Sequence, residues 1–326
     1  MFTPFGYSRP KSVQDAVSAL AEGDARVHAG GTDLLGCLRD HVFSVDKVVS
    51  LSAIDGLSGV HETQDGGLTI GAMTTVTEIA ENALIRRQYP GLAQAADEVA
   101  SPQLRNQGTI GGNLCQKPRC WYYRGDFHCL RKGGYKCFAV NGENQFHCIF
   151  GGANCFIVHP SDIAPALVSL DAAVKTAGPG GARRLPVSKL HMSPEKDPTR
   201  ETVLEAGELI TEVYLPAPPA GLYSSYRKIR MRRSWDFAVA GCALALAMDG
   251  KHQVRECRVV LSAAAPIPWR SHETEQVLRG QRLDEALIDK AATAAVVKAT
   301  PMTKNAYKIA LFQGMLKEEL RKAAQS

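Results

Sequence analysis

The feature that most constrains this chain is the segment from Cys115 to Cys155, which holds six of the nine cysteines within forty-one residues. The first twelve residues lack the basic and apolar layout of a secretion signal, and no apolar run reaches the length of a membrane span. We therefore expect a cytoplasmic, reducing environment, in which so many thiols indicate metal or redox chemistry rather than a disulfide framework.

The spacing of these cysteines favours a cluster over a single ion. Only Cys115 and Cys120 approach the close pair that structural zinc sites use, with four residues between them. The other gaps are wide, which suits a cubane held by separate loops, although they match neither common ferredoxin pattern. Basic residues predominate around the thiols and would offset the negative charge of a thiolate-ligated cluster. Spacing alone leaves iron–sulfur, zinc and metal-free buried cysteines open, with iron–sulfur favoured.

The sequence around this segment shows the patterns of three α+β units. A chain of 326 residues is long enough for two or three domains. Prolines at 216, 218 and 219 follow an alternating strand and mark the clearest boundary. We predict units at residues 1–55 and 56–218, a cysteine-rich insertion at about 115–156, and a C-terminal unit at 219–326.

Apolar periodicity predicts the main strands and helices of these units. A helix that begins after Ser12 should precede the first strand. The glycine-, proline- and charge-rich residues 177–200 predict a loop. The predicted strands lie at 26–29, 47–51, 68–72, 209–215, 223–232, 237–247 and 254–263, and the later helices at 75–83, 91–100, from Asp162, at 284–298 and at 304–322.

Two glycine pairs, Gly30–Gly31 and Gly111–Gly112, follow predicted strands. Glycine permits positive φ and lets a backbone N–H approach a phosphate without a Cβ in the way. Neither pair belongs to the dinucleotide fingerprint or to a Walker motif, so Rossmann and P-loop folds are excluded. Each pair alone is compatible with a plain turn. Two such turns in neighbouring units favour a diphosphate ligand shared between them.

Five segments together carry a stronger signal. They are AGGTD (29–33), SPQLRNQGTIGGNL (101–114), HPSDIAPAL (159–167), GELITEVYLP (207–216) and RKIRMRRSWDFAVAG (227–241). In this order they resemble the flavin subunit of molybdenum hydroxylases, the family of xanthine dehydrogenase and carbon monoxide dehydrogenase. The resemblance implies an α+β chain, with a two-subdomain FAD-binding fold of the vanillyl-alcohol-oxidase (PCMH-like) type. A C-terminal α+β domain typical of carbon monoxide dehydrogenase flavoproteins would follow.

The resemblance also implies a set of FAD contacts. Asp162 would accept hydrogen bonds from ribityl or ribose hydroxyls, Ile210 would touch the cofactor, and Lys228 would lie near the isoalloxazine, where a cation favours the reduced flavin. The pyrophosphate would be held by backbone amides of two turns. Their residues are Arg26, Val27, His28, Ala29, Gly30, Gly31, Thr32 and Asp33 in one turn, and Thr109, Ile110, Gly111, Gly112 and Asn113 in the other.

The cysteine segment adds about forty residues at a place where most members of this family have a short loop. It resembles the branch typified by 4-hydroxybenzoyl-CoA reductase and some bacterial aldehyde dehydrogenases, whose flavin subunit holds an additional [4Fe–4S] cluster. Matching that branch leaves Cys115 and Cys148 as bystanders, with Cys115 as the next candidate ligand. The implied ligands are Cys120, Cys129, Cys137 and Cys155.

The function implied is electron transfer, with no catalytic residue on this chain. FAD and the cluster would pass electrons between an external carrier, such as ferredoxin or NAD, and partner subunits that carry molybdopterin and [2Fe–2S], in a dimer of heterotrimers. The alternative from another class is a zinc-stabilised basic binding module without a redox role. The net charge of +5 is mild, so we expect no nucleic-acid partner.

Overall fold

The computed structural model describes residues 2–325, in which twelve strands form three separate sheets. The strands are β1 Gly6–Ser8, β2 Ala25–His28, β3 Lys47–Ser50, β4 Val60–Glu62, β5 Leu68–Gly71, β6 Ala173–Gly178, β7 Gly181–Pro186, β8 Leu209–Leu215, β9 Leu222–Ile229, β10 Ala240–Met248, β11 Val254–Ser262 and β12 Trp269–Arg270.

Twelve α-helices surround these sheets in the described part of the chain. They are α1 Val13–Leu20, α2 Leu34–Arg39, α3 Val76–Glu81, α4 Ala83–Gln88, α5 Pro90–Asp97, α6 Pro102–Arg105, α7 Ile110–Leu114, α8 Trp121–Arg124, α9 Ile163–Ser169, α10 His272–Leu278, α11 Glu285–Ala294 and α12 Tyr307–Ala323. Among residues 2–325, none of the helices is both long and apolar enough to cross a bilayer.

The first sheet is small and parallel, in the order β1-β3-β2. Helix α1 covers one face of it. The helix begins after Ser12, whose hydroxyl accepts a hydrogen bond from the Asp15 N–H at 3.1 Å, as the sequence predicts. The apolar face of α1 packs on Val49 and Leu51 at the end of β3. The loop that leaves β2 therefore emerges from the carboxyl edge of a parallel sheet, where the first glycine pair lies.

The second sheet has five antiparallel strands in the order β4-β5-β8-β6-β7. Helices α3, α5 and α9 pack on it to form the largest apolar core. The hairpin of β6 and β7 contradicts the loop predicted for residues 177–200, since Gly178 pairs with Gly181 across a tight turn. Most of β7 is exposed at the sheet edge, so it carries no apolar alternation by which to recognise it.

The third sheet is antiparallel, in the order β12-β11-β10-β9, and both of its faces are buried. Ala243 and Ala245 of β10 face α5 and α9 of the middle unit. Cys242 and Leu244, which alternate with them, face α10, α11 and α12. Successive side chains of a strand point to opposite faces, so this one strand belongs to two cores. Helix α10 was not predicted from the sequence, whereas α11 and α12 were.

The cysteine segment leaves α7 and returns at α9 with little regular structure. Within residues 115–156 the structure contains only α8 and a 3₁₀ turn at Leu130–Lys132. The end of the segment docks on the C-terminal unit, where the Ile149 N–H donates to the Ala264 carbonyl at 2.9 Å. Ile149 and Phe150 are buried in the same core as α12.

Candidate functional site

The two glycine turns lie next to each other. A Cβ on Gly30 would come within 1.7 Å of the Gln107 carbonyl oxygen, so no other residue fits there without movement of the backbone. Gly31 adopts φ +72°, the left-handed conformation that glycine takes without strain. The second turn opens α7, where the Thr109 hydroxyl accepts a hydrogen bond from the Gly112 N–H at 3.3 Å. The close approach of the two turns places both glycine pairs on one cavity.

This cavity has a volume of about 1030 Å³ and runs between all three units. Small-molecule pockets usually measure about 300–1,000 Å³, so the space is large enough for a dinucleotide. Of the residues predicted to bind the cofactor, all except His28 and Ile110 line the cavity. Ile110 is instead fully buried in the core of the middle unit. The two glycine turns put no side chain in the path of a ligand, and the cavity between them is large enough for FAD.

A buried polar triad contributes two of its members, Asp162 and Lys228, to the wall of this cavity. The Lys228 ammonium donates to Asp162 Oδ2 at 2.7 Å and to the Glu98 carbonyl at 2.9 Å. The Tyr226 hydroxyl donates to Asp162 Oδ1 at 2.7 Å. Burial, and then the neighbouring Asp162 carboxylate, hold the pKa of Tyr226 well above its usual range, so its proton stays in this hydrogen bond. Asp162 and Lys228 line the cavity, and both were predicted from the resemblance.

Tyr226 and the ion pair of Asp162 with Lys228 were not predicted from the sequence. Tyr226 and Lys228 are two residues apart on β9, so they point to the same face of the sheet. That alternation was the available signal for Tyr226. No local pattern could have shown that Asp162, sixty-six residues upstream of Lys228, would meet them.

A second polar cluster joins the first glycine turn to the cysteine segment. Asp33 closes the turn, and its Oδ2 accepts a hydrogen bond from the backbone N–H of Lys117 at 2.7 Å. Its Oδ1 lies 2.8 Å from Arg124 Nη2 and 2.9 Å from Arg119 Nη2. Arg124 also donates to Cys37 Sγ at 2.9 Å. The segment is thereby fixed to the flavin-side turn by two guanidinium groups.

The four cysteines implied as ligands converge. Cys120, Cys129, Cys137 and Cys155 line one narrow pocket together with Arg131 and His147. Each comes from a different loop position: Cys120 precedes α8, and Cys129 precedes the 3₁₀ turn. Burial raises the pKa of Cys120 to about 12 and that of Cys155 to about 11, so without a metal these thiols stay protonated.

The two cysteines that the resemblance leaves aside do not line this pocket. Cys115 lines the large cavity rather than the narrow pocket. Cys148 is fully buried behind the pocket, where its N–H donates to the Phe156 carbonyl at 2.9 Å. The Lys308 ammonium lies near Cys148 and is held by the carbonyls of Phe146 and Ala263 at 3.3 and 2.9 Å. Cys148 is nonetheless close enough to Cys137 and Cys155 for their charges to interact.

The four thiols line one pocket but are not drawn together as a metal-binding group among residues 2–325. A tetrahedral zinc with bonds of about 2.3 Å would draw its thiolates almost into contact, whereas in a cubane each thiolate binds a separate iron. Arg131 Nε and His147 Nδ1 are buried at this pocket without a hydrogen-bond partner, and a cationic neighbour suits an anionic cluster.

Aromatic rings cover part of this pocket. Tyr122, Phe127 and Phe138 contact one another, with ring centroids 5.1 to 6.1 Å apart. Tyr123 is buried beside them. Trp121, at the start of α8, is 52% exposed and does not line the pocket.

Comparisons with known proteins agree with this geometry. Residues 3–218 match the FAD binding domain in molybdopterin dehydrogenase, and residues 224–323 match the CO dehydrogenase flavoprotein C-terminal domain. The chain is 34% identical to the aldehyde oxidoreductase FAD-binding subunit PaoB of Escherichia coli K12, over 98% of each chain. It is 28% identical to the carbon monoxide dehydrogenase medium chain of Hydrogenophaga pseudoflava, over 91% of this chain and 88% of that one.

Solved structures show the same fold. A cyanide-inactivated Cu,Mo-CO dehydrogenase chain aligns with a TM-score of 0.79 and 26% identity, over 100% of this chain and 99% of that one. A carbon monoxide dehydrogenase chain from Hydrogenophaga pseudoflava aligns equally well, at 27% identity over 99% and 98% of the two chains. The predicted fold, a flavin-binding α+β part followed by the C-terminal domain of these flavoproteins, is confirmed.

Proposed function

We propose that this chain, which belongs to the FAD-binding subunits of the molybdenum hydroxylase family, is the flavin and iron–sulfur electron-transfer subunit of a multisubunit molybdenum-containing oxidoreductase. The observation that supports this most is that one chain builds two sites. A cavity between two glycine turns fits FAD, and four thiols from separate loops meet in one adjoining pocket.

The residues of the chain have distinct tasks in this proposal. The two turns hold the diphosphate through backbone N–H groups. Asp162 accepts from the sugar or ribityl hydroxyls while it remains paired with Lys228 and Tyr226. Lys228 places a fixed positive charge on the flavin side of the cavity, which favours the reduced cofactor. FAD supplies the ability to exchange one or two electrons with its partners.

The second site belongs to a [4Fe–4S] cluster with Cys120, Cys129, Cys137 and Cys155 as ligands. Their wide separation in the chain supports this, as do the Arg131 guanidinium at the pocket and the aromatic rings that keep water from it. These four thiols would hold a group that exchanges single electrons. Cys115 and Cys148 take no part.

The organic substrate is turned over elsewhere in the assembly. Partner subunits with molybdopterin and [2Fe–2S] would complete the electron path, in a cytoplasmic dimer of heterotrimers, and an external carrier such as ferredoxin or NAD would lie at its end. Relatives named aldehyde oxidoreductase FAD-binding subunit and carbon monoxide dehydrogenase medium chain support such an assembly. The alternative of a zinc-stabilised binding module without a redox role is not favoured by these relatives, whose names are those of oxidoreductase subunits.

Anaerobic purification with the partner subunits tests the proposal. We expect about one FAD and about four irons for each copy of this chain, with molybdenum in the complex. Reduction should bleach the flavin absorbance and produce the paramagnetic signal of a reduced cluster. A colourless chain with stoichiometric zinc would refute both assignments, whereas flavin without iron would refute only the cluster.

A further inference from the structure

The residue Asp33 places a carboxylate on the wall of the flavin cavity, two residues after the first glycine pair. All the polar groups that meet it across the cavity come from the cysteine segment, more than eighty residues away. They are the Lys117 N–H and the guanidinium groups of Arg119 and Arg124. An anionic diphosphate bound at the glycine turn would be repelled by this carboxylate if the segment were absent.

The two arginines are engaged to different extents. Arg124 is fully used: besides Asp33 it donates to the carbonyls of Pro118 and Lys117, at 2.7 and 3.1 Å, and to the Cys37 sulfur. Arg119 bonds Asp33 and the Gln116 side chain, but its buried Nε has no hydrogen-bond partner. Arg119 therefore makes fewer bonds than Arg124, while its side chain remains 30% exposed and lines the cavity.

The charge and the position of Arg119 both favour contact with an anionic ligand. One carboxylate faces two guanidinium groups, so the cluster keeps a net positive charge beside the glycine turn. Arg119 lines the cavity, and its guanidinium carbon lies 4.7 Å from the ring centroid of Phe237, which comes from the loop between β9 and β10. A side chain held by Asp33 on one side and by an aromatic face on the other is fixed in place before a ligand arrives.

We propose that Arg119 is a binding residue for the FAD diphosphate, supplied by the cysteine segment and positioned by Asp33 and Phe237. This rests on the proposed function, since it requires FAD in the large cavity. It makes the metal-binding segment part of the flavin site. Loss of the cluster should therefore loosen FAD, because the segment that carries Arg119 is no longer held.

The substitution Arg119→Gln tests this with two flavins. Riboflavin lacks the diphosphate, so we expect its affinity for the flavin-free protein to be unchanged, while the Kd for FAD rises about tenfold to hundredfold, as for one charge-assisted hydrogen bond. Arg119→Lys keeps the charge and should recover part of the loss. The matched control is Arg255→Gln, which alters an exposed arginine far from the cavity and should change neither Kd.

Iron content separates a local effect from unfolding of the segment, and it should be the same in wild type and Arg119→Gln. An equal loss of FAD and riboflavin affinity, or an unaltered Kd for FAD, would overturn the role of Arg119. If Arg119→Gln does not fold, the ratio of FAD to riboflavin affinity in Arg119→Lys decides in the same way. A wild-type chain that binds no flavin at all would instead refute the proposed function.

Discussion

The flavin cavity and the cysteine pocket adjoin each other, yet they are built by different means. The cavity lies at the ends of β2, β8 and β9 and at the start of α7, where sheets and helices satisfy the backbone. The pocket is lined by loops of a segment whose only regular elements are α8 and one 3₁₀ turn. A site made from regular elements keeps its shape without a ligand, whereas loops with few backbone bonds depend on the metal that crosslinks them.

The substitution Cys155→Ser should break this contrast most visibly. We expect loss of cluster iron and faster amide hydrogen exchange across residues 115–156, while β8 and β9 keep their protection because their bonds lie within sheets. FAD should still bind at saturating concentration. Iron analysis and exchange mass spectrometry measure both effects. Cys148→Ser is the control, and iron loss in that variant would contradict the choice of ligands.

The next largest effect should come from the substitution Asp162→Ala in the flavin cavity. This change leaves the Lys228 ammonium buried without its counter-ion, which costs about 3–5 kcal/mol in the free energy of unfolding. FAD affinity should fall as well. Chemical denaturation followed by circular dichroism measures the first effect. The exposed pair of Asp289 and Lys317 gives the control, since Asp289→Ala should change stability by less than about 1 kcal/mol.

The stability of the boundary between the flavin cavity and the cysteine pocket should depend on pH through His191. This buried ring donates from Nε2 to the Leu114 carbonyl at the end of α7, 3.1 Å away, and lies against His159. Burial lowers the pKa of His191 from 6.5 to about 4, so the unfolded chain takes up a proton first as the pH falls. The neutral ring contributes fully to the stability of the fold above pH 6.5. About 2 kcal/mol of the free energy of unfolding should be lost between pH 7 and pH 5.

Denaturation curves at the two pH values measure this loss. The variant His191→Gln, which cannot take up a proton there, should flatten the dependence even if its stability at pH 7 is lower. His159 is buried beside it and its pKa is also lowered by burial, so part of the slope should remain. An undiminished slope in His191→Gln would assign the whole effect to other groups.

A smaller effect than that of Asp162→Ala should follow from Tyr226→Phe, which removes the hydroxyl that donates to Asp162. Asp162 keeps its bond to Lys228, so the loss should be about 1.5–3 kcal/mol in the free energy of unfolding, as for one hydrogen bond to a charged group. Thermal denaturation is sensitive enough to detect it. Tyr7→Phe, at an exposed ring, should have no effect. A change in Tyr226→Phe as large as that in Asp162→Ala would mean that the two ions are not a self-sufficient pair.

The same contrast explains what the sequence could and could not predict. Strand–turn–helix patterns are local, so the glycine turns, β8 and the C-terminal strands were recognisable, although β10 begins at Ala240 rather than at 237. The resemblance selected four of six cysteines, and the structure brings those four together. Spacing could not have done so, because loops without a period leave the distances between thiols undetermined.

Long-range polar contacts could not be predicted from the sequence for a related reason. Asp33 meets Arg119 and Arg124 only after the segment folds back over the first sheet, and nothing near Asp33 in the chain indicates an arginine partner. The β6–β7 hairpin was missed because its outer strand is charged and exposed. Local physics thus predicted the scaffold, whereas tertiary folding determined which charges meet.

The strand β10, with one face in each of two cores, has a consequence for how the chain can be divided. A break in the proline-rich link before β9 would uncover Ala243 and Ala245 on one fragment and the facing sides of α5 and α9 on the other. Two such pieces, produced from separate genes, should stay insoluble when expressed singly and reassemble when expressed together.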